Sequence, residues 1–222
     1  MASKLFLFDM DGVLFDTMPQ HVRSWKQTVD EYGLKAEQDE FYLYEGMRGI
    51  DTIAKLYHRT FGKEAPMELV EEIYERKTAL FNNANFELQL IPHTREVMAV
   101  VKEKGYDIAV VTGSTQNNAY PRIEKYYSDY VKREHIITAE SVTKGKPNPE
   151  PYLMGMKLFG CSPEEAIVIE NAPLGVKSGS SAGALTIAVT TGPIKESILR
   201  EEGAQLVFPD MKALQIWCQK KL

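Results

Sequence analysis

Cysteine is scarce in this chain, with two in 222 residues, Cys161 and Cys218. They lie far apart and without metal-ligand spacing, which argues against a disulfide framework and sets the expectation of a reducing, cytoplasmic setting. Positive charge is not in excess: 26 Lys and Arg stand against 31 Asp and Glu, a formal net charge of -5. A nucleic-acid partner is therefore set aside. No apolar run is long enough to cross a bilayer, and residues 1–8 lack the basic start and long apolar stretch of a secretory signal, so no membrane association is expected. Internal repeats and low-complexity tracts are also missing. What remains is an ordinary globular composition, 44% hydrophobic and 26% charged. It suffices for one large domain, or for a core domain with a smaller insertion.

Short apolar runs predict buried strands at Leu5–Phe8, Ile108–Val111, Ile136–Thr138, Ala166–Ile169, Leu185–Val189 and, more weakly, Leu206–Phe208. Helical patterns fall between them at Thr94–Lys104, Asn117–Tyr127, Pro149–Phe159, Leu174–Ala182 and Lys195–Glu202. This alternation from about residue 92 onward predicts an α/β fold, a Rossmann-like parallel sheet covered by helices on both faces. Residues 18–90 break the rhythm with four helical stretches, Pro19–Tyr32, Glu37–Glu45, Gly49–Phe61 and Met67–Asn82. Pro19 suits a first helical turn, and Gly33 and Gly62 suit helix ends. The expected organisation is a core of residues 1–17 and 91–222 with a helical module, 18–90, inserted after the first strand. Its connecting segments, near 14–18 and 84–92, would act as hinges.

The first strand ends in two carboxylates one residue apart. Side chains alternate along a strand, so Asp9 and Asp11 start on the same side. Two like charges that close need a shared proton or a bound cation. Gly12 frees the backbone to turn. In open α/β sheets the carboxyl ends of the strands are where ligands bind.

Four further polar sites matter. Thr112-Gly113-Ser114 follows the second strand, where a hydroxyl and a backbone N–H can hold an anion; an ST-turn is the plain alternative. Lys146, in the Lys144–Pro151 loop, offers a compact positive charge to phosphate and carboxylate; a solvated loop lysine would look the same. Glu170-Asn171 follows another buried strand and supplies oxygens of the kind Mg2+ prefers; a helix-capping Asn is common there too. In Tyr44-Glu45-Gly46-Met47-Arg48-Gly49, Glu45 or Arg48 would face the core if the insertion closes, although for Arg48 a solvent-facing turn is expected.

Jointly these residues resemble a known pattern. Asp9-x-Asp11-Gly12-Val13, Thr112-Gly113-Ser114, Lys146-Pro147 and Glu170-Asn171-x-x-x-Gly175 resemble the four motifs of the haloacid dehalogenase superfamily, and the insertion resembles its small α-helical cap. The segment Gln20-His21-x-x-x-Trp25-Lys26 resembles the β-phosphoglucomutase subgroup. The resemblance covers essentially the whole chain. It implies a phosphoaspartyl mechanism with Asp9 as nucleophile and Asp11 as general acid/base. It further implies that Thr112 and the Gly113 N–H hold the phosphoryl group, that Ser114 lies in the substrate site, and that Lys146 neutralises charge. Mg2+ is the implied cofactor, held among Asp9, the Asp11 carbonyl, Glu170 and Asn171. A carboxylate nucleophile splits a hard displacement into two steps, and the rest of catalysis is positioning and charge neutralisation. Asp11 argues against dehalogenation, which needs no proton donor.

Two departures narrow the substrate. Asn171 stands where the mutases carry a metal-binding aspartate, and Glu45 where they carry a substrate-facing lysine. Glu45 is expected to compensate by reaching the metal when the cap closes, which would shrink the site and favour inorganic pyrophosphate. The chain also looks like a pyrophosphatase branch of the subgroup, with the same Asn and a cap Glu. His21 and Lys77 occupy places of functional cap or hinge residues in the mutases, and Asp16 is read as helix-capping or hinge-positioning. A β-phosphoglucomutase-like isomerase, a general sugar phosphatase and a non-catalytic phosphate-binding module are the alternatives. The expected partner is a small phosphorylated molecule, and a monomer is expected.

Overall fold

The computed structural model describes residues 4–84 and 86–222. Residues 1–3, at the head of the expected core, and Asn85, inside the expected hinge near 84–92, lie outside the described residues. The chain runs β1 (Leu5–Phe8), α1 (Met18–Glu31), α2 (Glu40–Leu43), α3 (Gly49–Phe61), α4 (Met67–Asn82), α5 (Thr94–Glu103), β2 (Asp107–Val111) and α6 (Gln116–Tyr127). It continues through β3 (Ile136–Ile137), α7 (Glu150–Phe159), β4 (Ala166–Glu170), α8 (Pro173–Ser181), β5 (Leu185–Val189), α9 (Glu196–Glu201), β6 (Leu206–Phe208) and α10 (Met211–Lys221).

All strands are parallel, in the order β3-β2-β1-β4-β5-β6. Phe8 pairs with Val110 on one side and Ile169 on the other. The chain therefore leaves β1 to the left for β2 and returns to the right for β4, and the switch point falls at the carboxyl end of β1. Strand alternation splits the core cleanly. Phe6, Phe8, Ile108, Val110 and Ile169 pack with α5, α6 and α10 on one face. Leu5, Leu7, Val111 and Val168 pack with Tyr152 and Met156 of α7 on the other. This is the α/β sheet the apolar runs predict. Helix α10 is an addition to the expected elements; its N-cap Asp210 accepts from the Ala213 N–H at 2.8 Å and its buried stripe is Met211, Leu214 and Cys218. No helix among the described residues is long and apolar enough to cross a membrane.

Helices α1–α4 pack on one another around their own apolar cluster, including Val22, Val29, Phe41, Ile53, Leu56 and Ile73. The helix expected over Glu37–Glu45 contracts to the single turn Glu40–Leu43, because the chain then bends to carry Glu45 inward. The segments joining this helical layer to the sheet pair with each other: the Asp16 N–H donates to the Gln89 carbonyl at 2.9 Å and the Ile91 N–H to the Leu14 carbonyl at 3.0 Å. Asp16 thus joins the connecting segment through its backbone; the residue at the N-cap of α1 is Thr17.

Candidate active site

The site is built on the carboxyl ends of β1, β2 and β4, three neighbours in the sheet. The Asp9 N–H extends the ladder to the Ile169 carbonyl at 3.0 Å. The chain then turns within four residues, with the Gly12 N–H donating to the Phe15 carbonyl at 2.7 Å. Gly12 has φ +85°, a backbone state that costs a side chain dearly. A Cβ here would also stand 2.0 Å from Asn171 Nδ2. Thr191, just after β5, donates to the Gly12 carbonyl and pins the turn from the other side.

Lys146 lies at the centre of the buried charge. Its Nζ donates to Asp9 Oδ1 at 2.5 Å, Glu170 Oε1 at 2.6 Å and the Val111 carbonyl at 3.0 Å. An ammonium has three protons, and all three are used. Lys146 is a fully buried ion-pair partner, not a solvated loop lysine. Burial opposes its charge, but Asp9 and Glu170 outweigh that and push it up to about 12.

Glu170 departs from the metal-ligand expectation. Its Oε1 accepts from Lys146 and from the Tyr152 hydroxyl, both at 2.6 Å, and its Oε2 from the N–H groups of Asn171 (3.1 Å) and Ala172 (3.4 Å). The carboxylate is saturated, so it holds Lys146 in place instead of offering a free oxygen. Gly175 has no side chain to collide with it; a Cβ there would stand 1.9 Å from Glu170 Oε1.

Asp11 is gripped by hydroxyls. Thr17 donates to Oδ1 at 2.5 Å and Ser114 to Oδ2 at 3.1 Å, and His21 Nε2 lies 3.4 Å from Oδ1 without good hydrogen-bond geometry. Burial alone would raise Asp11. The neighbouring His21 ring, the Arg122 guanidinium and the Thr17 hydroxyl outweigh it and hold the carboxyl below its usual range. Lys77 Nζ is 2.7 Å from His21 Nδ1. Burial lowers both, Lys77 to about 7 and His21 to about 4.

The helical layer reaches this cluster through the turn after α2. Glu45 is buried, and its Oε1 accepts from Asn171 Nδ2 at 2.9 Å. Gly46 lies against Gly113 so closely that a Cβ on Gly113 would stand 2.4 Å from the Gly46 carbonyl oxygen. Arg48 is not the solvent-facing residue expected. It pairs with Asp51 at 2.7 and 2.9 Å and reaches across to the Val142 carbonyl at 3.4 Å. Thr112 Oγ1 accepts from the Ser114 N–H at 3.1 Å. Asp9, Asp11, Thr112, Gly113, Ser114, Glu45, His21 and Lys77 all border one cavity of about 60 Å³, with Lys146, Glu170 and Asn171 directly behind it.

The charges do not balance. Asp9, Glu45 and Glu170 lie together with one ammonium, that of Lys146, while Asp11 faces the more distant Lys77 and Arg122. Burial, then the fields of Asp9 and Glu170, raises Glu45 well above its ordinary value, and burial raises Asp9 despite Lys146. Asn171 Oδ1 is buried with no hydrogen-bond partner, a costly state for an amide oxygen. Missing positive charge beside an orphaned oxygen fits a hard divalent cation. Among the described residues no three His, Cys, Asp or Glu side chains form a ready metal cage; the oxygens available here are of mixed type, carboxylate, amide and main-chain carbonyl.

Sequence reasoning missed Thr17, Tyr152, Thr191 and Arg122. Tyr152, Thr191 and Arg122 act on groups distant in the chain, so local pattern carries little trace of them, whereas Thr17 bonds Asp11 only six residues back across the Gly12 turn. The one signal was Tyr152, a hydroxyl-bearing aromatic in the first turn of the helix that follows the Lys146 loop.

Comparison with known proteins agrees with this geometry. Hexitol phosphatase A of Escherichia coli (strain K12) is 32% identical over 85% of this chain and 84% of its own length. Pyrophosphatase PpaX of Oceanobacillus iheyensis is 24% identical over 96% of this chain and 95% of its own. A solved structure from Bacteroides vulgatus, assigned provisionally as a beta-phosphoglucomutase, is 40% identical with a TM-score of 0.92, covering 99% of this chain and 89% of that one. The sequence pattern of the haloacid dehalogenase-like hydrolases runs over residues 6–189, from β1 to the end of β5 and so through every strand end that carries a charged group described above; the chain belongs to that family.

Proposed function

We propose that this protein is a Mg2+-dependent phosphohydrolase that works through an aspartyl-phosphate on Asp9, with inorganic pyrophosphate as its substrate and residues 18–90 as a cap over the site. The observation that carries the substrate reading is the Glu45–Asn171 contact at 2.9 Å. It brings an extra carboxyl from the cap into the oxygen cluster and leaves only a small cavity, lined by Asp9 and Asp11 on the sheet side. On this scale a water needs about 10–15 Å³, so a cavity of about 60 Å³ suits a compact substrate.

Asp9, the Asp11 carbonyl, Asn171 Oδ1 and Glu45 would hold the cation, which when bound neutralises charge on the substrate and on these acids. Lys146 engages Asp9 Oδ1 and leaves Oδ2 to attack phosphorus. The P–O bond to the leaving group breaks as the Asp9 ester forms. Thr112 and the Gly113 N–H steady the phosphoryl oxygens. In the second step a water gives its proton to Asp11 as its oxygen bonds phosphorus, and the bond to Asp9 breaks. The depressed carboxyl of Asp11 is ionised and so open to that proton. It also suits a leaving phosphate, which departs with far less need of a proton than a sugar alkoxide.

A sugar- or alditol-phosphate phosphatase is the second reading, favoured by the identity to hexitol phosphatase A. A panel of pyrophosphate, hexose phosphates, hexitol phosphates and nucleotides with Mg2+, followed by free phosphate, decides between them. In parallel, β-glucose 1-phosphate is tested for conversion to the 6-phosphate. Isomerisation without phosphate release overturns the hydrolase, and preference for hexitol phosphate overturns pyrophosphate. Asp9→Asn should abolish every activity.

A further inference from the structure

We infer that Tyr74, seated on the bare backbone of Gly49, sets the upper size limit of the leaving group in this site. The inference rests on the phosphohydrolase reading and does not depend on pyrophosphate being the substrate.

Gly49 opens α3 and is buried, and its φ is one any residue can adopt. What Gly49 supplies is space. A Cβ there would stand 2.0 Å from Tyr74 Cε2 and 2.4 Å from Cδ2, so the phenol ring lies flush on the α3 backbone. Tyr74 comes from α4, three residues before Lys77 and so on the same helix face. Both border the cavity, as does Gly49. The ring thus fills the place that a side chain at the head of α3 would otherwise take.

Burial, then the field of Glu140, pushes the Tyr74 phenol up to about 12, against the Thr78 hydroxyl one turn further along α4. Tyr74 borders the same cavity as Thr112, Gly113 and Ser114 after β2, so its ring stands on the α4 side of a space whose other side is the sheet edge. Of the other rings that border the cavity, Trp25 and Phe41 stack on each other with centroids 5.8 Å apart and planes 7° from parallel. With those rings stacked and Glu45 bonded to Asn171, removing the Tyr74 ring from the Gly49 backbone opens depth at the head of α3.

The test compares two monoesters, glycerol 1-phosphate and glucose 6-phosphate, so its result is separate from that of pyrophosphate with the wild-type protein. The ratio of kcat/KM for the hexose ester over the glycerol ester should rise about tenfold or more in Tyr74→Ala, the scale on which a few methylenes of pocket space discriminate. Tyr74→Leu should fall between, and Tyr74→Phe should keep the wild-type ratio. An unchanged ratio in Tyr74→Ala that still cleaves glycerol 1-phosphate overturns the inference. If Tyr74→Ala does not fold, Tyr74→Leu takes its place, and an unchanged ratio there overturns the inference equally. A shift in Tyr74→Phe equal to that in Tyr74→Leu also overturns it, by showing that the hydroxyl and not the bulk is responsible. Wild-type protein inert toward pyrophosphate but obeying these ratios would remove the substrate reading alone.

Discussion

Asn171 Nδ2 and Glu45 Oε1 meet at 2.9 Å across 126 residues of chain, joining the end of β4 to the turn after α2. The contact uses the amide donor and leaves the amide oxygen without a partner. One residue thus gives its nitrogen to the turn after α2 and keeps its oxygen for the proposed cation. Glu45→Ala should weaken Mg2+ binding by about 10–100-fold, the usual cost of losing a group that orients or completes a metal site. Calorimetric titration of Mg2+ and the Mg2+ dependence of pyrophosphate turnover check it. Wild-type half-saturation in the variant would remove Glu45 from the metal site.

Removing Lys146 should damage stability as well as activity. Its ammonium is the shared counter-charge of Asp9 and Glu170, all three almost wholly buried. Breaking one partner from a buried ion pair costs about 3–5 kcal/mol because the remaining charge is stranded. Lys146→Ala should lower the urea midpoint at neutral pH, and raising Mg2+ should recover part of the loss by supplying positive charge. Unfolding curves with and without Mg2+ read both effects. A variant as stable as wild type would mean that water reaches Asp9 and Glu170 freely.

The sheet was legible because parallel strands buried on both faces read as unbroken apolar runs: Leu5–Phe8 and Leu185–Val189 are strands to the residue. Helices α3 and α4 were legible by their period and ends. The acids after β1, the hydroxyl after β2 and the pair after β4 follow from those strand ends. What pattern could not reveal was partnership. Glu170 looks like an exposed oxygen ligand until Lys146, Tyr152 and two amides are found around it. Arg48 looks like a surface turn until Val142 is found opposite. The helix over Glu37–Glu45 was overlong because propensity continues past Leu43 while the tertiary contact at Glu45 ends it.

Arg48 should help hold the turn that carries Glu45. Its guanidinium is fixed by Asp51 and touches the Val142 carbonyl on the core side. A hydrogen bond of this kind contributes about 0.5–1.5 kcal/mol. Arg48→Ala should therefore shift Mg2+ half-saturation in the same direction as Glu45→Ala but by only a few-fold. Protease cleavage in the connecting segment near 84–92 should quicken in step. Unaltered cleavage and Mg2+ dependence would show that the Glu45–Asn171 contact and the close seat of Gly46 on Gly113 hold the turn unaided.

Lys77 gives stability a specific pH dependence. Burial lowers its ammonium from 10.5 to about 7, and Arg122 adds to the effect while Asp11 opposes it. Between those values the unfolded chain binds a proton that the folded protein does not, so stability rises with pH across that window. Below pH 7 the folded protein carries the full cost of a buried cation, several kcal/mol at about 1.4 kcal/mol per pH unit. Lys77→Met has no such cost, so it should be the more stable protein near pH 7. Its advantage should shrink steadily toward pH 10 as wild-type Lys77 folds in uncharged. His21, lowered to about 4, titrates below this range and leaves it clear. Urea midpoints of both proteins at pH 7, 8.5 and 9.5 test the slope. A difference that stays constant would place the Lys77 ammonium in contact with water, and its 2.7 Å approach to His21 would then be that of an ordinary solvated lysine.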